Sequence, residues 1–267
     1  SFNFPCGPGL GSINDLGVNE QLLTVAQTLL GSPVKLIQCV AWAKRGEEPQ
    51  STNARLSNVD QRMHWDGYNN TLLVPPPFES PNVVAAIVYL SDVSDTGGGT
   101  AVVPRTGVDD PWYHASRSQW MPGVGGREFV NDRSAAETMM TERGENRSDL
   151  YEREVLHPFK LGDVLLYRHD VWHRGTPVRP GKIRWVVNLA WAKEDARYVL
   201  SWGHGLARYL YYGWLEAWIA RLSPRQLMAI GFPPPDDPVW HEAGMQRGVR
   251  DRYEIYGFDL DAYLNTS

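Results

Sequence analysis

The chain has 267 residues, a net charge of −5, 42% hydrophobic residues and 21% charged residues, which is ordinary for one large globular domain. It has no basic tract, so a nucleic acid is not expected as a partner. It also has no run near the ~20 apolar residues needed to span a bilayer and no signal-peptide pattern at its start. We therefore expect a soluble intracellular protein without a membrane partner.

The first part of the chain predicts one helix and then several strands. The helix is expected over residues 13–31, beginning at Asp15 and ending at Gly31, because apolar residues recur on one face. Apolar or alternating runs predict the strands. They are expected at 34–43, 62–66, 82–91 and 100–104.

The middle of the chain, residues 106–153, shows no sustained period of 2 or 3.6. A long stretch of this kind inside a domain is often a functional lid. Its aromatic and basic side chains are candidate substrate contacts, and an ordinary packing or surface role is the alternative for each. They are Trp112, Tyr113, Arg117 and Trp120.

The last part of the chain returns to strands and then predicts helices. Strands are expected at 155–159, 163–167, 172–178 and 183–192, and helices at 205–222 and from Ser223-Pro224 to Gly231. Seven or eight short strands between turns favour a mainly β, cupin-like jelly roll of two sheets. We expect one domain over 1–267, with a barrel core at 34–192, terminal helices outside it and a C-terminal helical appendage at 200–267.

A candidate metal-binding pair lies in the second predicted strand. Residues i and i+2 of a strand share a face, so His64 and Asp66 would offer a nitrogen and an oxygen ligand together. Alone, the pattern of a histidine and an aspartate two residues apart is weak evidence for a metal site. A surface histidine near a solvated aspartate has the same sequence pattern. A third ligand must come from elsewhere in the chain.

The third ligand is expected from the second half of the chain. His173 follows Asp163 by ten residues, and Arg184 follows His173 by eleven. Two histidines and one carboxylate form the facial triad of non-haem iron(II) oxygenases. A guanidinium binds a carboxylate in a fork, as the far end of 2-oxoglutarate requires. His169, with Arg179 ten residues after it, is the alternative that fits less well.

Residues 34–192 resemble the phytanoyl-CoA dioxygenase family of 2-oxoglutarate-dependent oxygenases. The resemblance rests on His64, Asp66, Gly162-Asp163, His173 and Arg184 at the family's spacings, and on the glycine-led stretch 97–107. That stretch departs from the family at its end, with Arg105, Thr106 and Gly107 in place of Gly-Ser-His. Gly175 stands where a serine is often found, so Thr176 is the hydroxyl expected to contact the cosubstrate.

The resemblance implies a double-stranded β-helix, iron(II), 2-oxoglutarate and dioxygen, with release of succinate and carbon dioxide. Relatives that halogenate have a small residue at the carboxylate position, so Asp66 favours hydroxylation, desaturation or epoxidation of a small organic substrate. Two other functions remain open. One is a cupin-type metal hydrolase or isomerase that uses metal-bound water, and the other is a sensor that binds metal and 2-oxoglutarate without catalysis.

Overall fold

The structure is a computed structural model. It describes residues 2–3, 11–46, 53–64, 80–113, 130–142, 144–169, 171–194, 196, 219–224, 227 and 232–264. The described residues divide into two compact units. The first is drawn from 1–64, 80–104 and 130–195, and the second from 65–79, 105–129 and 196–267. The expectation of a single domain stays a prediction.

The first unit contains two antiparallel sheets. Their strands are β1 (Phe2–Asn3), β2 (Val34–Arg45), β3 (Val83–Tyr89), β4 (Thr100–Val102), β5 (Val155–Leu156), β6 (Val164–Arg168), β7 (His173–Gly175) and β8 (Ile183–Lys193). The large sheet has the order β1-β2-β8-β3-β6, and the small sheet has the order β5-β4-β7. The two-sheet, mainly β expectation is confirmed at this level.

The predicted N-terminal helix is two helices. They are α1 (Gly11–Gly17) and α2 (Glu20–Leu30). The side chain of Asn19 accepts hydrogen bonds from the N–H groups of Gln21 and Leu22, so Asn19, and not Asp15, caps the longer helix. Gly31 ends it in the left-handed conformation, as predicted.

One face of the large sheet packs against these helices. Ala26 and Leu30 of α2 meet alternate residues of three strands, as the period of 2 requires. The buried strand residues are Cys39, Val84, Ala86, Val88, Val187, Leu189 and Trp191. The Trp191 indole N–H donates to the Gly17 carbonyl at 2.9 Å. The N-terminal helices therefore cover this outer face.

The opposite, inner face of the large sheet looks toward the small sheet. Its buried residues include Ile87, Tyr89 and Val186, which pack with Phe159 and Val93. Lys44 lies opposite Arg184 in the β2–β8 register, so both belong to this face. The Tyr167 ring of β6 lies 5.0 Å from the ring of His173 on β7, measured between centroids. The small sheet thus brings His173 over the inner face.

The expectation of an irregular stretch over 106–153 is wrong for its second half. Residues Arg133–Glu142 form α4, and Ser148–Glu152 form α5, both in the first unit. Only Ala136, Met139 and Met140 of α4 are buried, which leaves a weak period in the sequence. A four-residue helix, α3 (Val93–Thr96), lies between β3 and β4.

The second unit has its own apolar core. Its described regular elements are the 3-10 turns Pro111–Tyr113, Pro238–His241 and Glu254–Tyr256, with α6 (Ala243–Tyr253) and α7 (Asp261–Leu264). Trp240, Val249, Tyr253 and Phe258 are buried in that core. The predicted helices at 205–222 and 224–231 lie almost wholly outside the described residues. No helix within the described ranges is long and apolar enough to cross a membrane.

Candidate metal and anion site

The structure brings His64 and His173 side by side. Each donates its backbone N–H to the carbonyl of the other, at 2.9 Å from His64 and 2.7 Å from His173. Their rings lie 4.4 Å apart between centroids and are tilted by 45°. The alternative ligand His169 lies in the turn after β6 and is buried. The bridge joins His64 to the strand that carries His173.

Both imidazoles are oriented by backbone carbonyls. Nδ1 of His64 lies 3.0 Å from the carbonyl oxygen of Arg62, and Nδ1 of His173 lies 2.9 Å from that of Val171. A carbonyl only accepts, so each contact places the ring proton on Nδ1 and the lone pair on Nε2. Transition-metal ions take imidazole nitrogens as ligands, so two adjacent rings with Nε2 lone pairs are the type of donor that such an ion requires.

The predicted carboxylate ligand, Asp66, lies outside the described residues. Within the part of the chain that the structure describes, no group of three or more His, Cys, Asp or Glu side chains could hold a metal. The complete triad of His64, Asp66 and His173 thus stays a prediction, with its two histidines adjacent.

Arg184 is a buried cation on the inner face. It is 6% exposed, and its Nε has no hydrogen-bond partner among the described residues. Burial holds the pKa of its guanidinium below the ordinary value, because desolvation penalises the charged form. A buried charge is normally paired, so this side chain is suited to an anionic ligand.

Tyr89 is a second group beside this cation, and sequence reasoning missed it. Its hydroxyl accepts a hydrogen bond from the backbone N–H of Thr100 at 2.9 Å, which directs the phenolic proton elsewhere. Its ring is fully buried and stacks on Phe159 at 4.2 Å. Burial raises the pKa of Tyr89, so the phenol stays protonated. The phenol oxygen lies near enough to Arg184 that a negative charge on it would raise the pKa of the guanidinium.

Thr176, the predicted cosubstrate hydroxyl, is already engaged. Its Oγ1 donates to the carbonyl of Gly99 at 2.8 Å, so in this arrangement its proton is not directed at a carboxylate. Nζ of the buried Lys44 donates to the carbonyls of Gly175 and Thr176 at 3.1 and 2.7 Å. Burial, with the nearby charge of Arg184, lowers the pKa of Lys44 to about 7.

Two glycines allow close approach around the site. Gly98 has a φ of +72°, and a Cβ there would lie 2.4 Å from Cγ2 of Val178 and 3.5 Å from Cβ of Arg184. A Cβ on Gly175 would lie 2.5 Å from Oε1 of Gln61. That oxygen accepts the Gly175 N–H at 2.9 Å, so a side chain at this position would displace the Gln61 amide from its hydrogen bond.

Arg174 is a buried ion-pair residue. It is 5% exposed, and it binds both carboxylate oxygens of Glu154 at 2.6 and 2.7 Å as well as Asp60. Burial acts to lower the pKa of Arg174, but hydrogen bonding to Glu154 and the charge of Asp60 outweigh it and raise the pKa. Arg174 follows His173 on β7, so it anchors that strand. The other flanking arginine, Arg179, is exposed.

The candidate substrate residues are only partly described. Tyr113 is 7% exposed, with the guanidinium of Arg105 at 4.9 Å over its ring, and the N–H of Trp112 donates to Asp110 at 3.1 Å. These contacts lie within the second unit and show a packed turn. Arg117 and Trp120 lie outside the described residues. The roles of all four residues in substrate binding stay predictions.

No family model and no curated protein sequence matches this chain. Among solved structures, it is similar to the non-heme alpha ketoglutarate dependent epimerase SnoN from nogalamycin biosynthesis, at 16% identity and a TM-score of 0.43 over 70% of this chain and 58% of that one. It is also similar to the carbocyclase SnoK from the same biosynthesis, at 17% identity and a TM-score of 0.47 over 74% and 64%.

A third similar structure is HygX from Streptomyces hygroscopicus with iron bound, at 15% identity and a TM-score of 0.44 over 72% of each chain. This chain covers less than two thirds of the length of SnoN and SnoK. Because these TM-scores are below 0.5, the similarities carry no argument about function. The resemblance to the phytanoyl-CoA dioxygenase family stays a prediction.

Proposed function

We propose that this protein is an iron(II)- and 2-oxoglutarate-dependent oxygenase with a double-stranded β-helix core, as in the phytanoyl-CoA dioxygenase family. The observation that carries the proposal is the buried guanidinium of Arg184, whose Nε lacks a partner among the described residues. It lies on the face over which the small sheet brings His64 and His173 together. A metal site with a buried cation beside it suits an anion that also chelates the metal.

His64, Asp66 and His173 would hold the iron. The two histidines would bind through Nε2, because their Nδ1 protons are engaged by the carbonyls of Arg62 and Val171. The bound iron would supply chelation of the 2-oxo acid and activation of dioxygen. The β-bridge between the histidines would keep these two ligands in place, and the iron would have positions open to the cosubstrates.

Arg184 and Tyr89 would bind the far carboxylate of 2-oxoglutarate. The guanidinium offers N–H donors in a planar fork, and the Tyr89 phenol offers one O–H that its contact with Thr100 leaves directed elsewhere. Lys44 adds a positive charge beside Arg184 while its Nζ bonds fix the Gly175–Thr176 backbone. Thr176 is proposed to act by holding the Gly99 carbonyl in place and only secondarily as a ligand.

The residues around this anion site would exclude water. Phe159, Val186 and Ile87 are buried beside Tyr89, and hydrogen bonds to a carboxylate are stronger where water is absent. The side chains would thereby hold the dianion in one orientation with its 2-oxo acid end toward the histidines.

The proposed reaction consumes 2-oxoglutarate, dioxygen and a substrate C–H bond. One oxygen atom enters succinate, carbon dioxide leaves, and the other oxygen atom oxidises the substrate. Asp66 favours hydroxylation, desaturation or epoxidation over halogenation. The substrate is proposed to be a small organic molecule, with Trp112, Tyr113, Arg117 and Trp120 as candidate contacts. A metal hydrolase or isomerase would have no need for the buried cation at position 184.

The test is turnover of 2-oxoglutarate to succinate by purified protein with added iron(II) and oxygen, with and without pooled small-molecule candidates. Slow succinate formation that requires both iron and oxygen is the expected result, and Arg184→Gln should reduce it. Activity without oxygen, or no binding of 2-oxoglutarate at all, would favour the hydrolase alternative. Binding without oxygen-dependent decay would favour the sensor.

A further inference from the structure

The backbone that leads into His64 is held from both sides. On one side, the N–H of Gln61 donates to the carbonyl of Gly175 at 3.1 Å, and His64 exchanges two hydrogen bonds with His173. On the other side, the peptide groups of Met63 meet the side chains of Tyr151, in α5, and of Arg147, the residue just before α5. The Met63 N–H donates to the Tyr151 hydroxyl oxygen at 3.1 Å, and Nη2 of Arg147 donates to the Met63 carbonyl at 3.2 Å.

Tyr151 and Arg147 are tied together by Glu137 of α4, and we call these three residues the Met63 clamp. The Tyr151 hydroxyl donates to Oε1 of Glu137 at 2.6 Å, and Arg147 binds the same carboxylate at 2.6 and 3.2 Å. The side chain of Arg147 is completely buried, and so is Met63. Each clamp residue therefore has its orientation set by another, which is what a precise backbone contact needs.

The clamp supplies the hydrogen bonds that a neighbouring strand would otherwise provide to Met63. A strand next to residues 61–64 would offer one donor and one acceptor to the peptide groups of Met63. Tyr151 offers the acceptor, and Arg147 offers the donor. Because these bonds come from side chains, they fix one residue, the one before His64, without extending the sheet over the site.

We infer that the Met63 clamp is a set of positioning residues that fix the backbone of His64 and so set the affinity of the metal site. Arg62 adds to this, since its backbone N–H and its guanidinium both bind Asn131, at 2.8 Å each. Its carbonyl in turn orients the His64 ring at 3.0 Å. A shift of the Met63 peptide would therefore move both the backbone and the ring of the ligand. The inference rests on the proposed role of His64 as a metal ligand.

The test is the cobalt(II) affinity of metal-free protein, measured by the visible absorption of the bound ion. Tyr151→Phe removes both hydrogen bonds of the phenol and should weaken cobalt binding by at least about tenfold, the low end of what lost supporting contacts cost a metal site. Glu137→Gln keeps an oxygen that accepts from Tyr151 but removes the negative charge that pairs with Arg147. A smaller loss of cobalt affinity is therefore expected. If Tyr151→Phe does not fold, Glu137→Gln tests the clamp in its place.

Two controls separate positioning from general stability. Asp149→Asn lies on α5 and breaks an exposed ion pair with Arg153, so cobalt affinity should not change. Leu189→Ala opens a cavity in the outer cluster and lowers the melting temperature without touching residues 61–64. It should leave cobalt affinity within twofold of the original.

The outcomes distinguish the two levels of the proposal. Unchanged cobalt affinity in folded Tyr151→Phe and Glu137→Gln overturns the clamp while the metal site stands. Equal losses in Tyr151→Phe and Leu189→Ala also overturn it, because the effect would then follow stability. If the unaltered protein binds no cobalt, the proposed function itself fails.

Discussion

Replacing Arg184 with Gln removes the buried guanidinium while leaving a polar side chain in its place. Truncating one partner of a buried, hydrogen-bonded charge pair costs about 2–5 kcal/mol. With about 1.4 kcal/mol for each tenfold change, the dissociation constant of 2-oxoglutarate should rise by roughly 30-fold or more. Arg184→Lys keeps the charge but loses the planar fork, so its affinity should lie between the two.

The stability of the metal-free protein should respond in the opposite sense. Arg184 is 6% exposed, and no carboxylate within the described ranges forms an ion pair with it. Without ligand, the guanidinium bears a desolvation cost with no internal charge to offset it. The free energy of unfolding of Arg184→Gln should therefore stay the same or increase.

The assay is calorimetric titration of 2-oxoglutarate into nickel-loaded protein, combined with urea unfolding of metal-free protein. Arg179→Gln is the matched control, because the side chain of Arg179 is exposed and donates to the Asp95 carbonyl at 3.3 Å. The control should bind 2-oxoglutarate normally. Normal binding by Arg184→Gln, or a loss of 2 kcal/mol or more in its metal-free stability, would refute the reasoning.

Two further predictions concern the surroundings of Arg184. Because Lys44 has a pKa of about 7 and a bound dianion would raise it, binding takes up a proton above pH 7. The affinity for 2-oxoglutarate should then fall by up to about tenfold per pH unit as the pH rises from 7, and Lys44→Met should remove that slope. Gly98→Ala should lower both stability and 2-oxoglutarate affinity, whereas Gly162→Ala, also at positive φ but with nothing within 4 Å of its Cβ, should lower stability alone. Equal effects of the two alanines on binding would contradict the close approach at Gly98.

The strands were largely predictable because burial leaves a plain signal. β3 is buried along its whole length and β8 along most of it, so each appears as a continuous apolar run of strand length. The break between α1 and α2 was missed because both helices present apolar residues to one cluster. Ile13 and Leu16 of α1 pack against the same buried residues as Leu22 of α2, so the apolar pattern continues across Asn19. Helix α4 was missed because three buried residues give too weak a period.

The candidate site was predictable only where its residues lie at fixed spacings along the chain. His64, His173 and Arg184 follow such spacings. Tyr89 reads as one more apolar strand residue, and its role depends on Thr100, eleven residues away in another strand. The prediction for Thr176 did not foresee that its hydroxyl donates to the Gly99 carbonyl. The contact of Arg147 with the Met63 carbonyl likewise joins distant segments of the chain. The local sequence around each residue does not indicate hydrogen bonds between distant segments.

The central claim is that His64 and His173 hold an iron ion to which 2-oxoglutarate binds, with its far carboxylate on Arg184. Anaerobic titration of iron(II)-loaded protein with 2-oxoglutarate tests it most directly, because chelation by a 2-oxo acid produces a visible charge-transfer band. The band should appear as 2-oxoglutarate is added, and it should saturate at an intensity that corresponds to one iron ion per protein chain. It should be absent in His64→Ala and His173→Ala, and in Arg184→Gln it should need much more 2-oxoglutarate. A band that persists in both histidine variants, or none in the unaltered protein, would contradict the claim.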